Sequence, residues 1–279
     1  MNLKKVLNEE KEAASSGKEI LDYLKEESSF IVSLLEKAIK KDKLNAEVFI
    51  GGSFAKGTLI KREEYDVDIF VRFDWRITNI TDELERIIKQ AIKESGMKLD
   101  KVHGSRNYFR MQDRNVVFEI IPVYKIKNPK EAVNVTDLSY FHVNYVKRKV
   151  KIMNLAREIM LAKKFCQAQG IYGAESYIRG FSGYGLECLI IYYKKFERML
   201  KEFGKAKERI ILDPEKKFKK KTEILLELNE NRLQSPIVLI DPTWRERNVL
   251  AALSKESFLK FQKAASEFLK KPSTEFFEI

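Results

Sequence analysis

The chain has 279 residues, 44% of them hydrophobic, with two cysteines and two histidines. That apolar content excludes a disordered chain, and the cysteine count excludes a zinc ribbon or a disulfide-stapled scaffold. Lys and Arg outnumber Asp and Glu by 53 to 41, and the net charge of +12 suits a polyanion such as RNA, the alternative being a generally Lys/Glu-rich surface.

Residues 1–43 read as helical, with Ile20, Leu21, Leu24, Ile31, Leu34, Leu35 and Ile39 at helix spacing. Ala46–Ile50 is a short apolar strand running into Gly51, Gly52 and Ser53, and Tyr65–Val71 is an alternating strand. Ile80–Ile92 is a helix capped by Thr81 or Asp82. Strands at about 107–111 and 115–123 are joined by a polar turn, and Pro122 is expected to end the hydrogen-bonded part of the second. From about 138 onward the pattern is helical: 139–169, 183–204, 216–230 and 247–271. Gly170 and Gly173 break the first of these, and Gly204 ends the second. Ser235–Pro242 interrupts them as a strand or extended segment that brings Arg245 and Arg247 toward a cleft. The fold class is therefore α+β: a mixed-sheet domain with an N-terminal helix over 1–137, then a mainly helical domain over 138–279. Cys166 and Cys188 sit in apolar helical patterns and read as buried free thiols of a reducing compartment. No signal peptide and no run of about twenty apolar residues is present, so the expectation is a soluble, cytoplasmic protein with no membrane partner.

The chemistry concentrates in 51–68. Residues two apart in a strand share a face, so Asp66 and Asp68 lie side by side while Val67, Ile69 and Val71 face the core. Adjacent carboxylates repel unless a cation lies between them, and hard oxygen ligands favour Mg²⁺. A Gly-Gly-Ser turn between strand and helix offers N–H groups and a hydroxyl to phosphate oxygens. Either feature alone is commonplace, a turn or a solvated strand face. Together they have the layout of a nucleotidyl-transfer site. The third carboxylate is Glu119, a lone charge in the apolar strand Asn115–Tyr124, which would cost several kcal/mol if buried unpaired. It faces either the same side as Asp66 and Asp68 or solvent on an edge strand.

The segments Gly52-Ser53, Asp66-Val-Asp68 and Glu119-Ile-Ile-Pro122 resemble the nucleotidyltransferase superfamily of poly(A) polymerases and CCA-adding enzymes. Ser139-Tyr-Phe-His142, Leu161-Ala-Lys-Lys-Phe165, Gly170-Ile-Tyr-Gly173, Arg179–Tyr184 and Asp241–Val249 are similar to archaeal, class I CCA-adding enzymes, in order and at near-family spacing. The resemblance implies a catalytic head over 1–137 and a neck over 138–279 that binds the nucleotide and the tRNA end. Asp66, Asp68 and Glu119 would hold Mg²⁺, and Gly52, Ser53 and Lys56 would bind the nucleotide's phosphates. His142, Lys163 and Tyr172 would contact the triphosphate or ribose, with Lys164 the competing neighbour of Lys163. Arg247 would help choose between CTP and ATP. Two residues depart from the family pattern: Lys56 stands where Arg is usual, and Glu119 where Asp is usual.

The implied reaction is untemplated attack of a tRNA 3′-hydroxyl on the α-phosphorus of CTP or ATP, releasing pyrophosphate. The family's domains that grip the tRNA elbow are expected to lie outside these residues, with a second polypeptide as one source. Its docking is expected on an apolar surface around Phe268, Leu269, Phe276 and Phe277. The basic block Glu215–Lys221 reads either as a solvated helix face or as an RNA-backbone contact. Two other functions fit the same residues: a nucleotidyltransferase with a different acceptor, as in oligonucleotide synthetases, and a non-catalytic tRNA-binding module.

Overall fold

The computed structural model describes residues 2–93 and 97–278. The expected N-terminal helix is two helices, α1 (Leu3–Ala13) and α2 (Lys18–Lys41), with Gly17 in an extended conformation at the N-cap of α2. The break separates two compact units. Residues 16–144 form one, while α1 groups with residues 145–278 in the other. The expected division at 137/138 kept α1 with the sheet, because the periodicity of 1–43 does not reveal which surface each helical turn covers.

In the unit of residues 16–144, β1 (Ala46–Ile50), a short helix α3 (Gly52–Lys56), β2 (Tyr65–Phe73), α4 (Ile80–Ala91), β3 (Asp100–Val102), β4 (Tyr108–Asp113) and β5 (Val116–Tyr124) follow α2. The five strands form one sheet in the order β1-β2-β5-β4-β3, with β2 and β5 parallel and the other pairs antiparallel. Helices α2 and α4 cover one face. Leu24, Ile31, Leu35, Leu84 and Ile88 pack there against Val67, Ile69, Val71, Phe109, Phe118 and Ile120. Strand alternation sends Asp66, Asp68, Phe70, Tyr108, Glu119 and Ile121 to the other face. The cap of α4 is Asn79, whose side chain accepts from the Asp82 N–H, rather than Thr81 or Asp82. Pro122 does not end β5, which stays in register with β2 to Tyr124 and passes the last β4 partner at Ile120. Beyond it, buried Asp137 accepts from the N–H groups of Tyr124, Val133 and Asn134 and pairs with Arg106. These bonds tie β5 to the segment that enters α5 (Ser139–Met153), and the unit boundary falls within α5.

In the other unit, α6 (Ala156–Ala168), α7 (Gly183–Tyr193) and α8 (Phe196–Lys205) surround Phe165, whose ring meets Phe196 at 5.3 Å, Phe277 at 5.5 Å and Phe261 at 5.6 Å. The expected helix 139–169 is broken at Asn154, with φ 51°, and the expected helix 183–204 at Lys194, with φ 68°; Gly204 lies inside α8. Apart from Glu187, residues 183–193 are apolar on all sides, so periodicity gave no stop signal there. Next come β6 (Ile210–Leu212), α9 (Lys221–Glu227), α10 (Glu230–Leu233), β7 (Ile237–Leu239), which pairs in parallel with β6, and α11 (Lys255–Lys270). Ser254 caps α11 by accepting from the Ser257 N–H, so the helix starts eight residues later than periodicity predicts. The basic block is not a helix face: residues 215–220 are a turn end, irregular backbone and a bend, with Lys216 at φ 51°, and a helix begins only at Lys221. Phe268 and Phe277 are buried, and Leu269 and Phe276 pack against the same core, so the surface expected to dock a second polypeptide is core of this unit.

Candidate active site

Register assembles the carboxylates. Asp68 on β2 is the parallel neighbour of Glu119 on β5, and Asp66 is two residues back on the same face. Glu119 thus shares the face of the acidic pair. On its other side β4 places Arg110 directly opposite Glu119, and Glu119 Oε1 accepts from Arg110 Nε at 2.8 Å and Nη2 at 2.5 Å. Asp66 Oδ2 lies 3.8 Å from Arg62 Nη1. Burial, and then the charge of Glu119, push the Asp68 carboxyl up to about 7; Asp66 adds to the rise and Lys56 opposes it. Burial and like charge thus both work against an ionised Asp68, and hard oxygen donors on one face suit a divalent cation. Among the described residues, however, no three acidic, imidazole or thiol groups are arranged to hold a metal. Asp66 and Asp68 present hard oxygens on one face, while Glu119 is engaged by Arg110.

The two glycines are required by close approach to β2. The Gly51 N–H donates to the Asp68 carbonyl at 2.8 Å. A Cβ on Gly51 would lie 2.3 Å from the Phe70 ring, and one on Gly52, whose φ is +60°, would lie 1.7 Å from Asp68 Oδ2. The turn therefore rests on the acidic strand and starts α3, which carries half-buried Ser53 and Lys56. His142 is buried in α5, in the same unit.

The remaining predicted residues belong to the other unit. Lys163 is 2% exposed and its ammonium lies 2.9 Å from Oε1 of fully buried Glu187 on α7. Lys164 instead pairs with Glu10 of α1 at 2.6 Å. Gly183 opens α7 against this group: a Cβ there would meet the Tyr172 hydroxyl at 2.9 Å and Lys163 Cε at 3.9 Å. Lys163 and Tyr172 are thus brought together. Arg247 Nη1 donates to Asp241 Oδ2 at 2.7 Å. The other oxygen of buried Asp241 accepts from the Tyr184 hydroxyl at 3.0 Å and from the Thr243 N–H and hydroxyl, each at 2.7 Å. Arg245 does not join Arg247; it pairs with Glu227 and stands 4.5 Å over the Phe218 ring.

Sequence reasoning missed Arg110, Glu187 and Asp241. Glu187 carried the signal that found Glu119, a lone charge within an apolar stretch, Leu186–Tyr193. Asp241-Pro-Thr is an Asx-turn pattern. Arg110 had no signal of its own, since only strand pairing sets it opposite Glu119.

Residues 32–135 match a family model described as a nucleotidyltransferase domain, and residues 157–278 one described as tRNA nucleotidyltransferase, second domain. The CCA-adding enzyme of Nanoarchaeum equitans is 39% identical over 248 residues, 89% of this chain and 59% of that protein. The CCA-adding enzyme of Methanocaldococcus jannaschii is 32% identical over 286 residues, 99% of this chain and 61% of that protein. This chain therefore spans about three fifths of the length of these curated relatives. Among solved structures, a cytoplasmic RNA terminal U-transferase matches with a TM-score of 0.72 at 13% identity, over 99% of this chain and 98% of that one. CdnC of E. coli MS115-1 with ATP matches at 0.67 and 14% identity, over 98% and 94%. These distant structures share the fold, and the chain is similar along most of its length to archaeal CCA-adding enzymes, with one stretch matching a nucleotidyltransferase domain and another the second domain of a tRNA nucleotidyltransferase.

Proposed function

We propose that this chain adds C and A residues to tRNA 3′ ends, using CTP and ATP, and that its metal is Mg²⁺, held by Asp66, Asp68 and Glu119. The observation that carries the reading is the shared face of these three carboxylates beside the Gly51–Gly52 turn, with the Asp68 carboxyl pushed up by burial and by the charge of Glu119. When bound, divalent cations neutralise charge on the attacking and leaving oxygens. The protein's part is positioning. Gly52, Ser53 and Lys56 bind phosphate oxygens, and the two glycines let the backbone come close to them. Lys163, which is paired with Glu187, contacts the triphosphate and ribose together with Tyr172 and His142. Arg247, with one guanidinium arm fixed by Asp241, turns its other donors to a base edge. Two buried free thiols suit a reducing, cytoplasmic location, and no helix among the described residues is long and apolar enough to cross a membrane.

The test is incubation of the chain with radiolabelled CTP or ATP, Mg²⁺ and tRNA ending at C74 or lacking CCA, reading product length. Extension of tRNA ends by C and then A supports the reading. Extension of unrelated oligonucleotides with equal efficiency points to another acceptor, and tRNA binding without incorporation to a binding module. Elbow contacts supplied by a second polypeptide remain part of the proposal. They predict weak, salt-sensitive tRNA binding by this chain alone and little preference for whole tRNA over an acceptor-stem minihelix.

A further inference from the structure

We propose that Arg110 is a positioning residue for Glu119: its guanidinium holds the carboxylate in the cation-free protein, and a divalent cation must displace it before Glu119 joins Asp66 and Asp68. The inference rests on the reading of these carboxylates as cation ligands. Arg110 and Glu119 are direct cross-strand partners on β4 and β5, so the pair is built into the sheet. Two donors grip a single oxygen, Oε1, a charge-assisted contact of the stronger kind. Register alone sets Asp68 and Glu119 side by side, yet among the described residues no three-ligand group is assembled. The Arg110 grip accounts for that difference.

The partners differ in freedom. The Arg110 side chain is 46% exposed and that of Glu119 19%. The guanidinium can swing toward solvent while the carboxylate stays on the face. Its Cζ already lies 5.6 Å from the Tyr108 ring centroid, a cation–π distance at which it keeps some stabilisation after release. Arg62, at 3.8 Å from Asp66, is a looser competitor. Arg110 therefore sets how much cation the protein needs before all three carboxylates act together.

The test uses the full chain and Mn²⁺ alone, with free Mn²⁺ followed by its electron paramagnetic resonance signal. Arg110→Gln should bind Mn²⁺ roughly tenfold more tightly than the unaltered chain, the low end for a charge-assisted hydrogen bond at a half-exposed site. Arg110→Lys keeps a charge but cannot grip one oxygen with two fixed donors, and should fall between them. Mn²⁺ binding by Arg110→Gln as weak as the unaltered chain's, or weaker, overturns the proposal. If that variant does not fold, Arg110→Lys takes its place, and binding no tighter than the unaltered chain's overturns the proposal equally. Asp68→Asn distinguishes failure of the site from failure of the Arg110 role. If it leaves Mn²⁺ binding unchanged, the carboxylates are not cation ligands and the proposed function fails with them. If it abolishes binding while Arg110→Gln changes nothing, only the role of Arg110 is lost.

Discussion

Asp68→Asn should stabilise the cation-free protein while abolishing nucleotide incorporation. Asn has the shape of Asp, so it fits under Gly52 without opening a cavity, and it removes one of three negative charges from the face. The carboxyl titrates at 3.8 when unperturbed and at about 7 in the fold, chiefly through burial and the charge of Glu119. At about 1.4 kcal/mol per pH unit, that interval bounds the cost of ionising Asp68 at about 4 kcal/mol. Partial exposure of the carboxylate and the nearby Lys56 reduce it, and roughly 1–2 kcal/mol is expected. The sign follows from linkage. Between pH 3.8 and about 7 the folded protein keeps a proton that the unfolded chain has lost, so this group's destabilising contribution grows as pH rises and is complete above about 7. Thermal melts in EDTA should show Asp68→Asn melting about 2–6 °C higher at pH 8, with the gap closing toward pH 4. Equal melting temperatures at pH 8, or a gap that does not change with pH, would refute the charge argument. Full incorporation by the variant would remove Asp68 from the catalytic set.

Glu119→Gln should lower turnover far more than CTP binding, while Glu119→Asp keeps appreciable activity; single-turnover assays with nucleotide titrations separate the two effects. Lys163→Met strips fully buried Glu187 of its 2.9 Å partner and should cost about 3–5 kcal/mol in urea unfolding, much of it recovered when Glu187→Leu is added. Arg247→Ala should disturb the choice between CTP and ATP in competition assays and also cost about 1–3 kcal/mol, because buried Asp241 loses a charged donor. An equal loss with both nucleotides would assign Arg247 a structural or phosphate-binding role.

The acidic face was legible in the sequence because strand alternation is a local rule. Once Tyr65–Val71 is a strand, Asp66 and Asp68 must share a side and Val67, Ile69 and Val71 must take the other. The Gly-Gly turn was legible for a similar reason, since few other residues tolerate such close approach to a strand. The lone charge in 115–124 pointed to Glu119, but its face and its neighbours depended on strands brought together from distant parts of the chain. The parallel pairing of β2 with β5 set Glu119 beside Asp68, and the antiparallel pairing with β4 set Arg110 against it. Helical periodicity located the apolar stripes of 1–43 but not that the first of them belongs with residues 145–278, since an amphipathic pattern says that a face is buried and not what buries it. The same limit hid the environments of Lys163 and Phe268. The sequence determined what each side chain can do, and long-range packing decided which charges meet: Glu187 came to Lys163, Asp241 to Arg247, and the closing aromatics went into the core instead of onto a surface.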